Sequence, residues 1–148
     1  MINVVLDTNI FISFLLKKKG SSIWRLYDLW EANSFINYYS LASLRELVDV
    51  LSRAKIQDKA MIEIEAIKTL LREMIGRSVI IKPLHRAEAV LDDEEDQIFL
   101  DIATTACADY IVSGDKGLLS LRQYQGGEKM PLIKIISVSE FLQLMEGR

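Results

Sequence analysis

Short runs of strand-forming residues alternate with stretches of helical periodicity along nearly the whole chain. That alternation limits the fold more than any other feature of the sequence. Residues 2–6 (Ile-Asn-Val-Val-Leu), 34–38, 79–81, 110–112 and 132–136 read as strands. Most are runs of apolar residues without strict polar alternation, the pattern of strands buried on both faces of a parallel sheet. Helices must then cover both sides. The expected fold class is α/β, a three-layer α/β/α arrangement around a central parallel sheet of about four to five strands.

The helical segments follow from spacing and caps. Residues 10–16 open a helix with Asn9 or Thr8 as its cap, and Gly20-Ser21-Ser22 breaks the chain before a second helix ending near Glu31. Ile23, Leu26, Tyr27 and Trp30 share one face of it. Ser40 caps a helix to about Arg53, with Leu44, Leu47, Val48 and Leu51 inward. Asp58 caps the longest helix, which runs to Gly76 and carries Met61, Ile64, Ile67, Leu71 and Met74 inward. A helix from about Gln97 to Cys107 follows the acidic run 92–96, and Ser137 caps a last one to about Met145. Residues 123–131 read as a surface loop.

A chain of 148 residues suits one domain, 1–148, with no repeat or linker to divide it. The single Cys107 forms no internal disulfide and points to a reducing compartment; it reads as a packing residue. Asp7 interrupts the apolar N-terminus, and Lys17-Lys18-Lys19 follow it where a signal peptide would put charge first. With no membrane-length apolar run, the expectation is a cytoplasmic protein. A net charge of −3, from 18 Lys and Arg against 21 Asp and Glu, argues against holding nucleic acid by phosphate neutralisation alone. The clusters Lys17 to Lys19, Arg53 with Lys55, and Lys82 with Arg86 read as solvated helix ends and loops.

The carboxylates are more informative. In open α/β sheets, ligands gather at the carboxyl ends of strands. Asp7 follows the first strand and Asp115 follows the strand 110–112. Asp96 opens the helix that leads back to that strand, and Glu46 lies in the helix after the second. Brought together, four carboxylates repel one another and raise their pKa values. An all-oxygen donor set suits Mg²⁺ or Mn²⁺, whose chemistry is activating water against a phosphodiester. Each acid also has a plainer reading: Asp7 and Asp115 as caps, the run 92–96 as a helix-dipole partner, Glu46 in a capping box with Ser43. His85 is the sole histidine, which excludes a zinc cluster or histidine-based triad. Trp24, Tyr27 and Trp30 read as core residues in preference to a base-stacking platform.

These residues resemble the PIN-domain nucleases, and among them the small prokaryotic toxin-like PIN proteins of toxin–antitoxin systems. The resemblance is carried by Val5-Leu6-Asp7-Thr8-Asn9-Ile10, Glu46-Leu47, Asp93-Glu94-Glu95-Asp96 with Phe99-Leu100, and Ala108 through Lys116. It implies that Asp7, Glu46, Asp96 and Asp115 are the metal-binding and catalytic acids of an endoribonuclease acting on single-stranded RNA with Mg²⁺ or Mn²⁺. It implies supporting roles for Thr8, Asn9, Ser113 and Asp93. The family's second aspartate, two residues after Gly-Asp, is here Gly117, and Asp93-Glu94 stands where relatives often have Asp-Pro.

The resemblance further implies a cognate antitoxin protein. It would place an amphipathic helix between the helix of Trp24 and Trp30 and that of Glu46, with a basic side chain among the acids. A homodimer is expected from the apolar content and from the toxin-like relatives. The alternative is a non-catalytic PIN-like module binding RNA or protein, whose mark is loss of a site acid; all four are present. A phosphorylation-dependent signalling domain wants paired acids after the first strand, where Asp7 stands alone.

Overall fold

In the computed structural model, which describes residues 1–53, 63–84 and 93–147, the strands are β1 (Ile2–Leu6), β2 (Phe35–Tyr39), β3 (Val79–Ile80), β4 (Tyr110–Val112), β5 (Gln123–Tyr124) and β6 (Ile133–Ile136). They form a six-stranded sheet of order β3-β2-β1-β4-β6-β5. Pairing is parallel throughout β3-β2-β1-β4-β6, and β5 runs antiparallel to β6. The sheet therefore exceeds the expected four to five strands. The added strand, Gln123–Tyr124, lies in a segment expected to be loop; two residues give no periodicity to read, and only pairing with β6 defines them.

Helices α1 (Thr8–Leu15), α2 (Ser22–Glu31), α3 (Leu41–Leu51), α4 (Ile64–Arg77) and α7 (Val138–Glu146) bury side chains on one face of the sheet, and α5 (Glu94–Ala106) and α6 (Lys116–Leu121) do so on the other. The alternation within β1 sets this division. Val4 and Leu6 pack with Phe11, Phe14, Trp30 and Leu47, while Val5 packs with Leu100, Ile111 and Leu118. Burying each large apolar side chain contributes about 1.5–3 kcal/mol.

Ser21, Ser40 and Ser137 cap α2, α3 and α7 with their hydroxyls. Asp7, rather than Asn9 or Thr8, caps α1, which starts earlier than expected because a carboxylate in extended backbone accepts the Ile10 amide. In the same way Asp93 caps α5 and brings Asp96 inside its first turn. Val48 and Ile64 are exposed rather than inward. Leu70 takes the inward place on α4 beside Met74. Cys107 is an exposed left-handed C-cap with φ 52°, not a packing residue. Asp58, Met61, Lys55, His85, Arg86 and Asp92 lie outside the described residues.

Asn37 explains how the sheet opens near the site. The β1–β2 register ends at Val4 and Asn37, and β2 continues beside β3 through Tyr38 and Tyr39. The fully buried Asn37 amide accepts the Leu6 N–H at 2.9 Å and donates to Ser78 Oγ at 3.1 Å. A side chain thus satisfies a strand donor that would otherwise be buried without a partner.

Candidate active site

β1 and β4 are neighbours with Leu6 beside Val112, yet the chain leaves them in opposite directions. After β1 it enters α1 on one face; after β4 it enters α6 on the other. That divergence is a topological switch point, where a doubly covered sheet leaves a crevice. Asp7 and Asp115 stand at its two lips.

Asp7 is buried, 3% exposed. Its Oδ1 accepts the Ile10 amide at 3.1 Å, and its Oδ2 accepts the Ser113 hydroxyl. The Ser113 oxygen in turn accepts the Asp115 amide at 2.9 Å, so one fully buried hydroxyl ties the two lips together. Asp115 caps α6, its Oδ2 accepting the Leu118 amide at 3.0 Å. Asp96 arrives from α5, and its Oδ2 lies on the same side of Gly117 as Asp115 Oδ2, close enough for the two charges to repel. Glu46 arrives from α3, where its Oε2 accepts the Thr8 hydroxyl at 2.9 Å and its carboxyl lies near that of Glu95.

The electrostatics follow from burial and crowding. Burial pushes the Asp7 carboxyl up, and the nearby Asp115 charge adds to the effect against the opposing hydrogen bonds. Burial also raises Asp96 to about 7, with Asp115, Asp93 and Asp7 contributing repulsion. Glu46 is likewise raised to about 7 by burial, the Thr8 hydroxyl opposing and Glu95 and Asp7 reinforcing the shift. The acids named from sequence thus sense one another across four chain segments.

Of the supporting residues, Thr8 and Ser113 hold Glu46 and Asp7 respectively, and Asp93 caps α5 by accepting the Glu95 amide at 2.8 Å. Asn9 gives Asp7 its backbone N–H, while its side chain is exposed. The plainer readings of Asp7 and Asp115 are true as well, since both are caps: Asp7 Oδ1 and Asp115 Oδ2 each accept a helix amide, and Asp7 Oδ2 accepts the Ser113 hydroxyl. The capping box on α3 is made by Ser40 and Ser43, leaving Glu46 free for Thr8. Sequence reasoning missed Glu95. Its only sign was an acidic run longer than a helix N-terminus requires.

These donors are oxygens, which fits a hard divalent cation that keeps several waters and takes one or two carboxylates directly. Among the described residues, no group of three or more Asp, Glu, His or Cys side chains is already arranged to hold an ion. Asp96 and Asp115 form the close pair, and Asp7 and Glu46 are held beside it by Ser113 and Thr8.

The family profile described as PIN domain matches residues 3–117, a span that includes all four acids. An uncharacterized protein of Methanocaldococcus jannaschii is 33% identical over 147 residues, covering 98% of this chain and 92% of its own length.

Proposed function

The chain belongs to the PIN-domain family, and from that premise we propose that it is a Mg²⁺- or Mn²⁺-dependent endoribonuclease that cleaves single-stranded RNA. PIN domains are generally nucleases. The observation that carries the finer reading is the approach of Asp7, Glu46, Asp96 and Asp115 to one another at the switch point, where each of Asp7, Glu46 and Asp96 is raised by burial and by the charge of a neighbouring acid. Asp96 and Asp115 would hold the cation directly, and Asp7 and Glu46 would reach it or its waters. When bound, the cation lowers the pKa of water and neutralises charge on the phosphate.

The protein's own part is positioning and proton acceptance. Ser113 and Thr8 fix Asp7 and Glu46, so that their free lone pairs orient an attacking water. As the water oxygen bonds to phosphorus, a site carboxylate accepts its proton, the P–O3′ bond breaks, and the leaving O3′ takes a proton from solvent water to become the hydroxyl. The products are a 5′-phosphate and a 3′-hydroxyl. Lys116 and Arg45 are exposed and adjacent in sequence to Asp115 and Glu46, which supplies local positive charge for an RNA backbone despite the net charge of −3.

A nuclease of this kind needs restraint, and we infer the toxin role with a small antitoxin as partner. The partner's amphipathic helix would dock near α3, and its Arg or Lys would compete with the cation for the acids. Trp30 is sealed in the core and α1 packs against both α2 and α3. The exposed apolar residues left for that helix, and for a homodimer contact, therefore include Leu16, Leu41 and Val48. Expression of the wild type should slow growth and Asp7→Asn should not; equal harmlessness would remove the toxin role while leaving the nuclease. Purified protein should cut single-stranded RNA with Mn²⁺ and stop in excess chelator, and cleavage that persists in chelator overturns the metal-dependent reading.

A further inference from the structure

The sheet ends at β3, and that edge is bare in both its side chains and its backbone. Val79 is 44% exposed and Ile80 58%, although both are apolar and they point to opposite faces of the sheet. Ile81 donates its N–H to the Tyr39 carbonyl at 2.8 Å, toward β2. Peptide groups alternate sides along a strand, so the Ile80 N–H and C=O face away from β2, where no described residue pairs with them. Beside the strand, Leu41, Ala42, Ile80, Ile81 and Pro83 line an open groove of about 560 Å³.

Edge strands are usually guarded by a charge, a bulge or a proline within them. Here Lys82 and Pro83 come only after the strand, and the opposite edge, β5, presents Gln123 and Tyr124 instead. The β3 edge also matches itself. In an antiparallel pair of two copies centred on Ile80, each Ile80 N–H meets the other's C=O. Val79 of one copy then lies opposite Ile81 of the other, beside the groove, and Ser78 lies opposite Lys82. The cross-strand neighbours are thus β-branched apolar pairs, with no like charges facing each other. Pro83 has no N–H to donate, so the pairing stops there.

We propose that the β3 edge is the contact between two copies of this chain, joining their sheets across a two-fold axis between the two Ile80 residues. Main-chain hydrogen bonds fix the register, and the exposed apolar side chains cover one another. Because the paired strands run antiparallel, the carboxyl ends of the two sheets point in opposite directions. The two crevices therefore open at opposite ends of the dimer, and neither copy lends a residue to the other's acids. The inference rests on the homodimer reading above and is independent of the nuclease one.

The test is light scattering of the full chain across a concentration series, with amide hydrogen exchange followed at residues 78–82. The wild type should dimerise, and the Ile80 amide should be protected in the dimer. Ile80→Pro removes an outward N–H and no bond to β2. It should raise the dimer dissociation constant by about tenfold or more, since the two-fold axis counts each loss twice. Ile80→Lys should do the same by setting like charges opposite each other, and it gives the reading if proline disturbs the fold. Val48→Lys, on the exposed side of α3, should leave the dimer intact. A dimer of wild-type affinity in Ile80→Lys, or an unprotected Ile80 amide in the dimer, overturns the inference and leaves the homodimer reading in place. So does a dimer lost in Val48→Lys alone. A wild type that is monomeric at every concentration removes both.

Discussion

Helix α1 joins two regions built on opposite principles. At its start, Asp7 belongs to a group of acids whose burial and mutual repulsion raise their pKa values. One turn further on, Phe11 and Phe14 belong to an aromatic cluster with Tyr27 and Trp30, ring centroids 5.3–6.0 Å apart, mostly edge to face. Every contact in that cluster favours the fold. The acids are stabilised only through their caps and hydroxyl partners, and otherwise oppose it. The aromatic cluster stabilises the rigid scaffold, and the scaffold holds carboxylates at distances they would not choose.

Substitutions in the two regions should consequently move stability and activity in opposite senses. The largest effect is expected for Asp115→Asn, which should reduce Mn²⁺-dependent RNA cleavage by about 10³-fold or more. Its melting temperature should hold or rise, because asparagine still caps α6 and one repulsive charge is gone. Trp30→Ala should do the reverse, costing about 3–5 kcal/mol in denaturant unfolding while the folded fraction keeps its activity. Equal loss of activity per folded molecule in both variants would erase the distinction.

Thr8→Val should have an intermediate effect. It removes the hydroxyl that holds Glu46 without touching the aromatic cluster, and should lower cation affinity by roughly tenfold with little change in unfolding. The smallest effect is on pH dependence. Asp96 and Glu46, both raised to about 7, bind protons more tightly folded than unfolded. Stability of the metal-free protein should therefore fall as pH rises from the ordinary carboxylate range through about 7. Melting should occur a few degrees higher near pH 5 than near pH 7.5, and saturating Mg²⁺ should close the gap. A metal-free protein more stable at the higher pH would show that the acids do not repel.

Strands β1, β4 and β6 and the Ser40 and Ser137 caps were legible in the sequence because their causes are local: an apolar run, and a serine before an amphipathic stretch. The four acids were legible as residue types at strand ends and helix starts. Three things were not. Gln123–Tyr124 is a strand only because β6 lies beside it, and Val48 faces outward because none of the described elements covers that side of α3. Glu95 is tied to Glu46 only because α5 and α3 approach at the same end of the sheet.

The sequence by itself determined the alternation of strands and helices, the two-faced burial of β1, and which side chains have oxygens to offer. Tertiary structure alone decided that β1 and β4 are neighbours whose chains diverge to opposite faces, so that Asp7 and Asp115 meet across a crevice although they lie far apart in the chain. The physical reason is range. Propensity, capping and periodicity act over a few residues, whereas charge crowding and steric exclusion depend on distances through space that only the packed sheet fixes.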